Sequence, residues 1–211
     1  MVKRMTSINK PSRLFFLPGA IGRMDYWLPA AQRLRYPAEQ RHFGWPGFGP
    51  TPPEPGVQGI DDLVAKVSSE LELPSALIAQ SMGGVVAIRA ALRQPGQITH
   101  LVLTATSGGL DMAALGAEDW RDQVRANFPT LPDWFLEERE DLTARLPELQ
   151  MPVLLLWGDA DPISPVSVGE KLAQCLPDAR LHVLAGGGHD LAFTHAEQVA
   201  ALIDRHLQQG Q

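Results

Sequence analysis

Residues Ser75–Gln94, SALIAQSMGGVVAIRAALRQ, read as a strand, a sharp turn and a helix, with Ser81 on the turn. Ala76-Leu77-Ile78-Ala79 is a short apolar run of buried-strand character. Val85, Val86, Ile88, Ala90 and Leu92 suit a helix packed against a sheet. So tight a reversal pushes the side chains two positions either side of Ser81 against the neighbouring strand and helix. Both must be small, and Ala79 and Gly83 are. The turn sets the Ser81 hydroxyl at a helix N-terminus, where free amides and the helix dipole favour developing negative charge. A serine there also suits an ordinary N-cap, so the remainder of the chain has to separate the two readings.

Strands and helices alternate along the chain. Leu14–Leu17 is a strand leading into Pro18-Gly19-Ala20-Ile21-Gly22, and a helix is predicted around Asp25–Leu34. Arg41–Gly44 is the next strand, followed by the loop Trp45-Pro46-Gly47-Phe48-Gly49. Ile60–Leu71 has Ile60, Leu63, Val64 and Val67 at helical spacing, with Asp61 and Asp62 in the first turn. Further strands are predicted at Ile98–Ala105, Pro152–Trp157 and Arg180–Leu184, with helices at Val166–Leu176 and Gln198–Leu207. Several strands are apolar at nearly every position, which calls for a parallel sheet covered on both faces. The expected fold is α/β, a mostly parallel sheet of about six strands flanked by helices. At 211 residues the chain suits one domain, 1–211. Only Ser107–Gln150 breaks the alternation: it has helical character and no strand, and it holds ten acids and four arginines, a net charge of −6.

Composition narrows the function. A net charge of −6 with no basic stripe argues against nucleic acid. Cys175, the one cysteine, falls on an apolar helix face as a packing residue and leaves no internal disulfide. The basic stretch MVKRMTSINKPSR has no apolar core of signal-peptide length after it, and no run approaches the roughly 18 apolar residues of a membrane span. A cytoplasmic protein with no membrane partner is the expectation. His42, His100, His182, His195 and His206 are scattered without metal-ligand spacing, so no metal is expected.

Ala79-Gln80-Ser81-Met82-Gly83 resembles the nucleophile elbow of the α/β-hydrolases, G-x-S-x-G, with Ala79 in place of the first glycine. Too few residues precede Leu14 for the antiparallel strands with which many members begin. A serine hydroxyl needs a histidine to take its proton and a carboxylate to orient that histidine, and in this family the order is serine, acid, histidine. Gly158-Asp159-Ala160-Asp161-Pro162-Ile163-Ser164-Pro165 resembles the family's acid loop, an alignment that selects Asp161. On spacing alone Asp159 is a rival. Gly186-Gly187-Gly188-His189 follows the last strand, where the family places its histidine. The resemblance implies oxyanion donors at the backbone amides of Met82, after the nucleophile, and Ala20, in the loop after the first strand. That loop reads P-G-A-I-G where H-G-x-x-G is common, so a side chain that often braces it is missing. Trp45-Pro46-Gly47-Phe48-Gly49 looks like the family's x-P-G-x-G loop, and the resemblance runs from about Leu14 to Leu207.

The resemblance implies that 107–150 is a short helical cap inserted after the fourth core strand. It implies a serine hydrolase acting on a small ester or thioester through an acyl-enzyme, with Ser81, Asp161 and His189 catalytic and no cofactor. Trp45, Phe48, Trp120 and Trp134 are candidates to line the substrate pocket, although cap aromatics also serve as packing. The acidic charge of the cap would disfavour anionic substrates or acidic carriers, or else mark a solvated face. Carbon–carbon bond hydrolysis, elimination and cofactor-free perhydrolysis run on the same triad, and a ligand-binding protein without turnover is the rival from outside enzymes. An aspartate-dependent dehalogenase is disfavoured because Ser81 stands at the nucleophile position.

Overall fold

The computed structural model describes residues 10–21 and 24–208. The basic residues before Lys10, and Gly22 of the first glycine loop, lie outside them. The chain runs β1 (Arg13–Leu17), α1 (Leu28–Ala31), β2 (Glu39–His42), α2 (Ile60–Ser69), β3 (Ser75–Gln80), α3 (Met82–Arg93) and β4 (Ile98–Thr104). It continues through α4 (Arg121–Asn127), α5 (Asp133–Glu137), β5 (Val153–Gly158), α6 (Val166–Cys175), β6 (Ala179–Leu184), α7 (Leu191–Thr194) and α8 (Ala196–Leu207). Single 3₁₀ turns at Ala113–Leu115 and Leu146–Glu148 bracket α4 and α5.

All six strands pair in parallel, in the order β2-β1-β3-β4-β5-β6. Successive side chains leave a strand on opposite faces, and here both faces are covered. Phe15 and Leu17, Leu77 and Ala79, and Leu155 and Trp157 pack with α2, α3 and α6. Leu14 and Phe16, Ala76 and Ile78, and Leu154 and Leu156 pack with α1, α7 and α8. Two-sided burial explains why these strands carry apolar residues at consecutive positions. The edge strand β2 is an exception, polar throughout its Glu39–His42 span.

Two elements depart from the sequence reading. The helix expected over Asp25–Leu34 contracts to Leu28–Ala31, while Trp27, just before it, is buried and donates its indole N–H to the Leu17 carbonyl at 3.1 Å. The second strand pairs over Glu39–His42 rather than Arg41–Gly44, because its register is set by Arg13–Phe16 of β1 and not by its own hydrophobicity. Cys175 is half-buried on α6 against the core. Among the described residues no helix is long and apolar enough to cross a membrane.

The chain order reverses direction in the sheet between β1 and β3: β2 lies on one side of β1, and β3 starts the run to the other edge. The loops leaving β1 and β3 therefore diverge to opposite faces and open a crevice at the carboxyl ends of these strands, the usual place for a ligand in an open parallel sheet.

Candidate active site

Ser81 sits in that crevice, between the last residue of β3 and the first of α3, with φ 53° and ψ −122°. A positive φ is costly for a residue with a side chain, so the surroundings must hold it. The Ser81 N–H donates to the Thr104 carbonyl at 3.0 Å. Its own carbonyl accepts from the Thr106 hydroxyl at 2.6 Å and the Gly84 N–H at 2.9 Å. The small neighbours are a steric demand. A Cβ on Gly83 would stand 2.5 Å from the Pro18 carbonyl oxygen, and one on Gly84 would stand 2.4 Å from the Thr106 hydroxyl. Ala79 is fully buried. Ser81 makes no side-chain cap to the helix amides, so its hydroxyl does not serve as an N-cap.

The structure brings Ser81, His189 and Asp161 into one chain of contacts. Ser81 Oγ lies 3.2 Å from His189 Nε2, and His189 Nδ1 lies 2.8 Å from Asp161 Oδ2. Asp161 is buried, and its other oxygen accepts the backbone N–H groups of Ile163 at 2.9 Å and Ser164 at 3.1 Å. A carboxylate so placed accepts from Nδ1–H, which leaves the Nε2 lone pair facing the serine hydroxyl. Asp159 does not reach the imidazole. It is exposed, and its Oδ1 accepts from the Gly186 N–H at 2.6 Å, which ties β5 to the loop carrying His189. That loop runs so close to β5 that a Cβ on Gly158 would stand 2.0 Å from the Gly187 carbonyl oxygen.

The loop after β1 closes the other side. Trp45, fully buried, donates its indole N–H to the Pro18 carbonyl at 2.8 Å. With the Trp27 bond to Leu17, two indoles hold the end of β1 where the sequence lacks a bracing histidine. Ala20 borders the crevice. Met82 is the first residue of α3, where a backbone N–H has no acceptor inside the helix, while its side chain is buried in the core. Gln80 was missed by sequence reasoning. Its side chain is buried and donates from Nε2 to the His189 carbonyl at 3.2 Å, and its Oε1 lies beside Gly19. Its position directly before the serine was the available signal, but only the fold shows what it reaches.

A cavity of about 330 Å³ opens on Ser81, His189, Gly19 and Gln80. Of the four aromatic residues expected around it, Trp120 lines it. Trp45 and Phe48 do not: both are fully buried in the core, Trp45 held beneath the β1 loop and Phe48 under the rings of Trp134 and Phe135. Trp134 is also absent from the walls, because its ring turns inward onto Phe48 with centroids 5.5 Å apart. Phe135, stacked on Trp120 at 5.2 Å, takes the wall position instead, with Val124 and Leu131. Phe193 and Tyr26, which the sequence did not single out, also line it. Burial pushes the Tyr26 phenol well above its ordinary pKa, so it stays protonated. Among the described residues no group of histidine, cysteine or carboxylate side chains could hold a metal ion.

The chain is similar to known proteins in sequence and in fold. The chain is 29% identical over 217 aligned positions to the polyketide synthase ThaQ of Burkholderia thailandensis, covering 78% of this chain but only 10% of that protein. It is 28% identical over 203 positions to the pimeloyl-[acyl-carrier protein] methyl ester esterase of Neisseria meningitidis, covering 74% of this chain and 78% of the esterase. Its fold matches a thermophilic esterase from Thermogutta terrifontis with a TM-score of 0.78 at 21% identity, over 96% of this chain and 91% of the other. The profile of the alpha/beta hydrolase family matches residues 14–202, nearly the whole chain. The chain belongs to the alpha/beta hydrolase family, and that membership supports hydrolase chemistry without specifying a substrate.

Proposed function

We propose that this chain is a serine hydrolase that cleaves a small carboxylic ester or thioester through an acyl-enzyme, with segment 107–150 as its cap. The observation that carries the reading is the alignment of Ser81 Oγ, His189 Nε2 and Asp161 at 3.2 and 2.8 Å beside an apolar cavity. As Ser81 attacks the carbonyl carbon, its proton passes to Nε2, and the Asp161 carboxylate stabilises the imidazolium and keeps the ring oriented. The negative charge that develops on the carbonyl oxygen is met by the amides of Met82 and Ala20, aided by the α3 N-terminus. Nε2–H then protonates the departing alcohol or thiol. Water enters, gives a proton to Nε2, and attacks the acyl carbon. The acid leaves as Ser81 recovers its proton. Every step is acid–base and nucleophilic chemistry of these side chains, and no cofactor enters it.

Relatives named for ester hydrolysis support this reading. A strained serine held at positive φ is a costly feature for a protein that only binds a ligand. Labelling with a fluorophosphonate probe tests it. Wild type should label promptly, Ser81→Ala should not label, and His189→Ala should label at least a hundred-fold more slowly. Folded wild type that resists the probe would overturn the proposal.

A further inference from the structure

The cavity that opens on Ser81 constrains the charge of what it can take. Away from the reacting groups its walls are apolar, formed by Val124, Leu131, Phe135, Ile163 and Phe193. Among the described residues no lysine or arginine lines it, and Asp190 adds an exposed carboxylate. An anionic chain entering this space gives up its hydration and meets no cation among the described residues.

The covering segment acts in the same direction. Its arginines are engaged locally: Arg121 with Asp119 at 3.1 Å, Arg125 with Asp122 at 3.3 Å, and Arg145 with Glu148 at 3.2 Å. Arg139 donates to the carbonyls of Leu136 and Glu138. Two of its acids, Glu138 and Glu140, are matched by Arg89 from α3. Glu118, Asp133 and Glu137 are exposed and make no ion pair among the described residues. Glu118 stands two residues from the wall residue Trp120, and Asp133 and Glu137 flank Phe135 two residues to either side. The segment that supplies Trp120, Val124, Leu131 and Phe135 to the cavity wall therefore carries a net negative charge, and a cleft with low-dielectric walls concentrates such a field.

Granting the serine hydrolase reading on which this rests, we infer that the site takes small esters or thioesters that are neutral or cationic, and discriminates against anionic acyl chains and acyl groups carried on acidic proteins. The cavity, about 330 Å³, suits a small substrate. The inference separates this chain from relatives named for an ester on an acyl-carrier protein.

The experiment compares second-order labelling rates for three fluorophosphonates of equal length, ending in a methyl, a carboxylate or a trimethylammonium group. At low ionic strength the neutral and cationic probes should react at least ten-fold faster than the anionic one. The gap should narrow in about 0.5 M salt, where the screening length falls to a few ångströms. Glu118→Lys/Glu137→Lys should raise the anionic rate several-fold and leave the neutral rate unchanged. Equal rates for anionic and neutral probes would overturn the inference while leaving the hydrolase reading intact. A folded protein labelled by none of the three would overturn the hydrolase reading itself.

Discussion

Asp159 and Asp161, two residues apart on one loop, hold the histidine loop in different ways. Asp161 meets the His189 ring at 2.8 Å from a buried position, and Asp159 accepts the Gly186 amide at 2.6 Å at the surface. Only the first touches the imidazole. Asp161→Asn should lower kcat by roughly 10³–10⁴, the size of effect expected when the orienting carboxylate is lost. Asp159→Asn should retain most activity and lose about 1 kcal/mol of stability with its hydrogen bond. Steady-state kinetics on one ester and urea unfolding of both variants check the contrast. Equal kinetic losses would show that Asp161 has no special role.

Ser81→Gly should abolish turnover and also stabilise the fold. Glycine adopts a positive φ without the steric penalty that serine bears at 53°. Relief of about 1 kcal/mol would raise the melting temperature by about 2–4 °C for a chain of this size. Differential scanning calorimetry against Ser81→Ala, which keeps a Cβ and therefore the strain, isolates the backbone effect.

Arg89 is buried on α3 and reaches Asp61 of α2 at 3.3 Å, Glu138 at 2.7 Å, and Glu140. It is the polar tie between the covering segment and the helix behind Ser81. Arg89→Met keeps the apolar stem and removes the charged hydrogen bonds, each worth roughly 1.5–3 kcal/mol before discounting for its partly exposed partners. Limited proteolysis should cut faster between residues 107 and 150 in the variant, with global stability reduced by about 1–3 kcal/mol. Unchanged cleavage would show that apolar packing alone seats the segment.

Acid should unfold this protein early. His206 is buried at the end of α8, edge-on to the His100 ring at 5.1 Å. Burial, with His100 adding to it, lowers its pKa from 6.5 to about 3. The unfolded chain therefore binds a proton below pH 6.5 that the folded chain refuses. The stability is complete above pH 6.5 and falls as the pH drops toward 3. By pH 5 the loss reaches about 2 kcal/mol from this group. The groups facing it include His100 and Arg180, both of which disfavour its charged form, and the backbone of Leu101 and Pro152, which favours it. His206→Leu should flatten the slope of unfolding free energy between pH 7 and pH 5, read by urea titrations at each pH. An unchanged slope would assign the acid sensitivity elsewhere.

Much of this protein was legible along the chain because it is written in local terms. Apolar runs such as Val153–Trp157 have both faces covered, and residues such as Asp61 and Asp62 mark a helix start, so sheet and helices can be read from short windows. The residues around Ser81 were legible for a similar reason: a tight strand-to-helix turn forces small neighbours at fixed offsets, whatever the rest of the chain does. Where a residue's position depends on a distant segment, local pattern is silent. β2 is polar, and its register comes from β1. Trp45, Phe48 and Trp134 look like candidate pocket aromatics because a ring's chemistry is the same in a wall as in a core. Packing turned them inward and left Trp120 and Phe135 facing the cavity. Gln80 gained its reach to His189 in the same way, across 109 positions of sequence. Residue order alone thus set which segments are strands and helices and which side chains the site could draw on. Which of those side chains meet was left to the folded arrangement, because contact between residues far apart in the chain follows from how whole layers pack and not from any local preference.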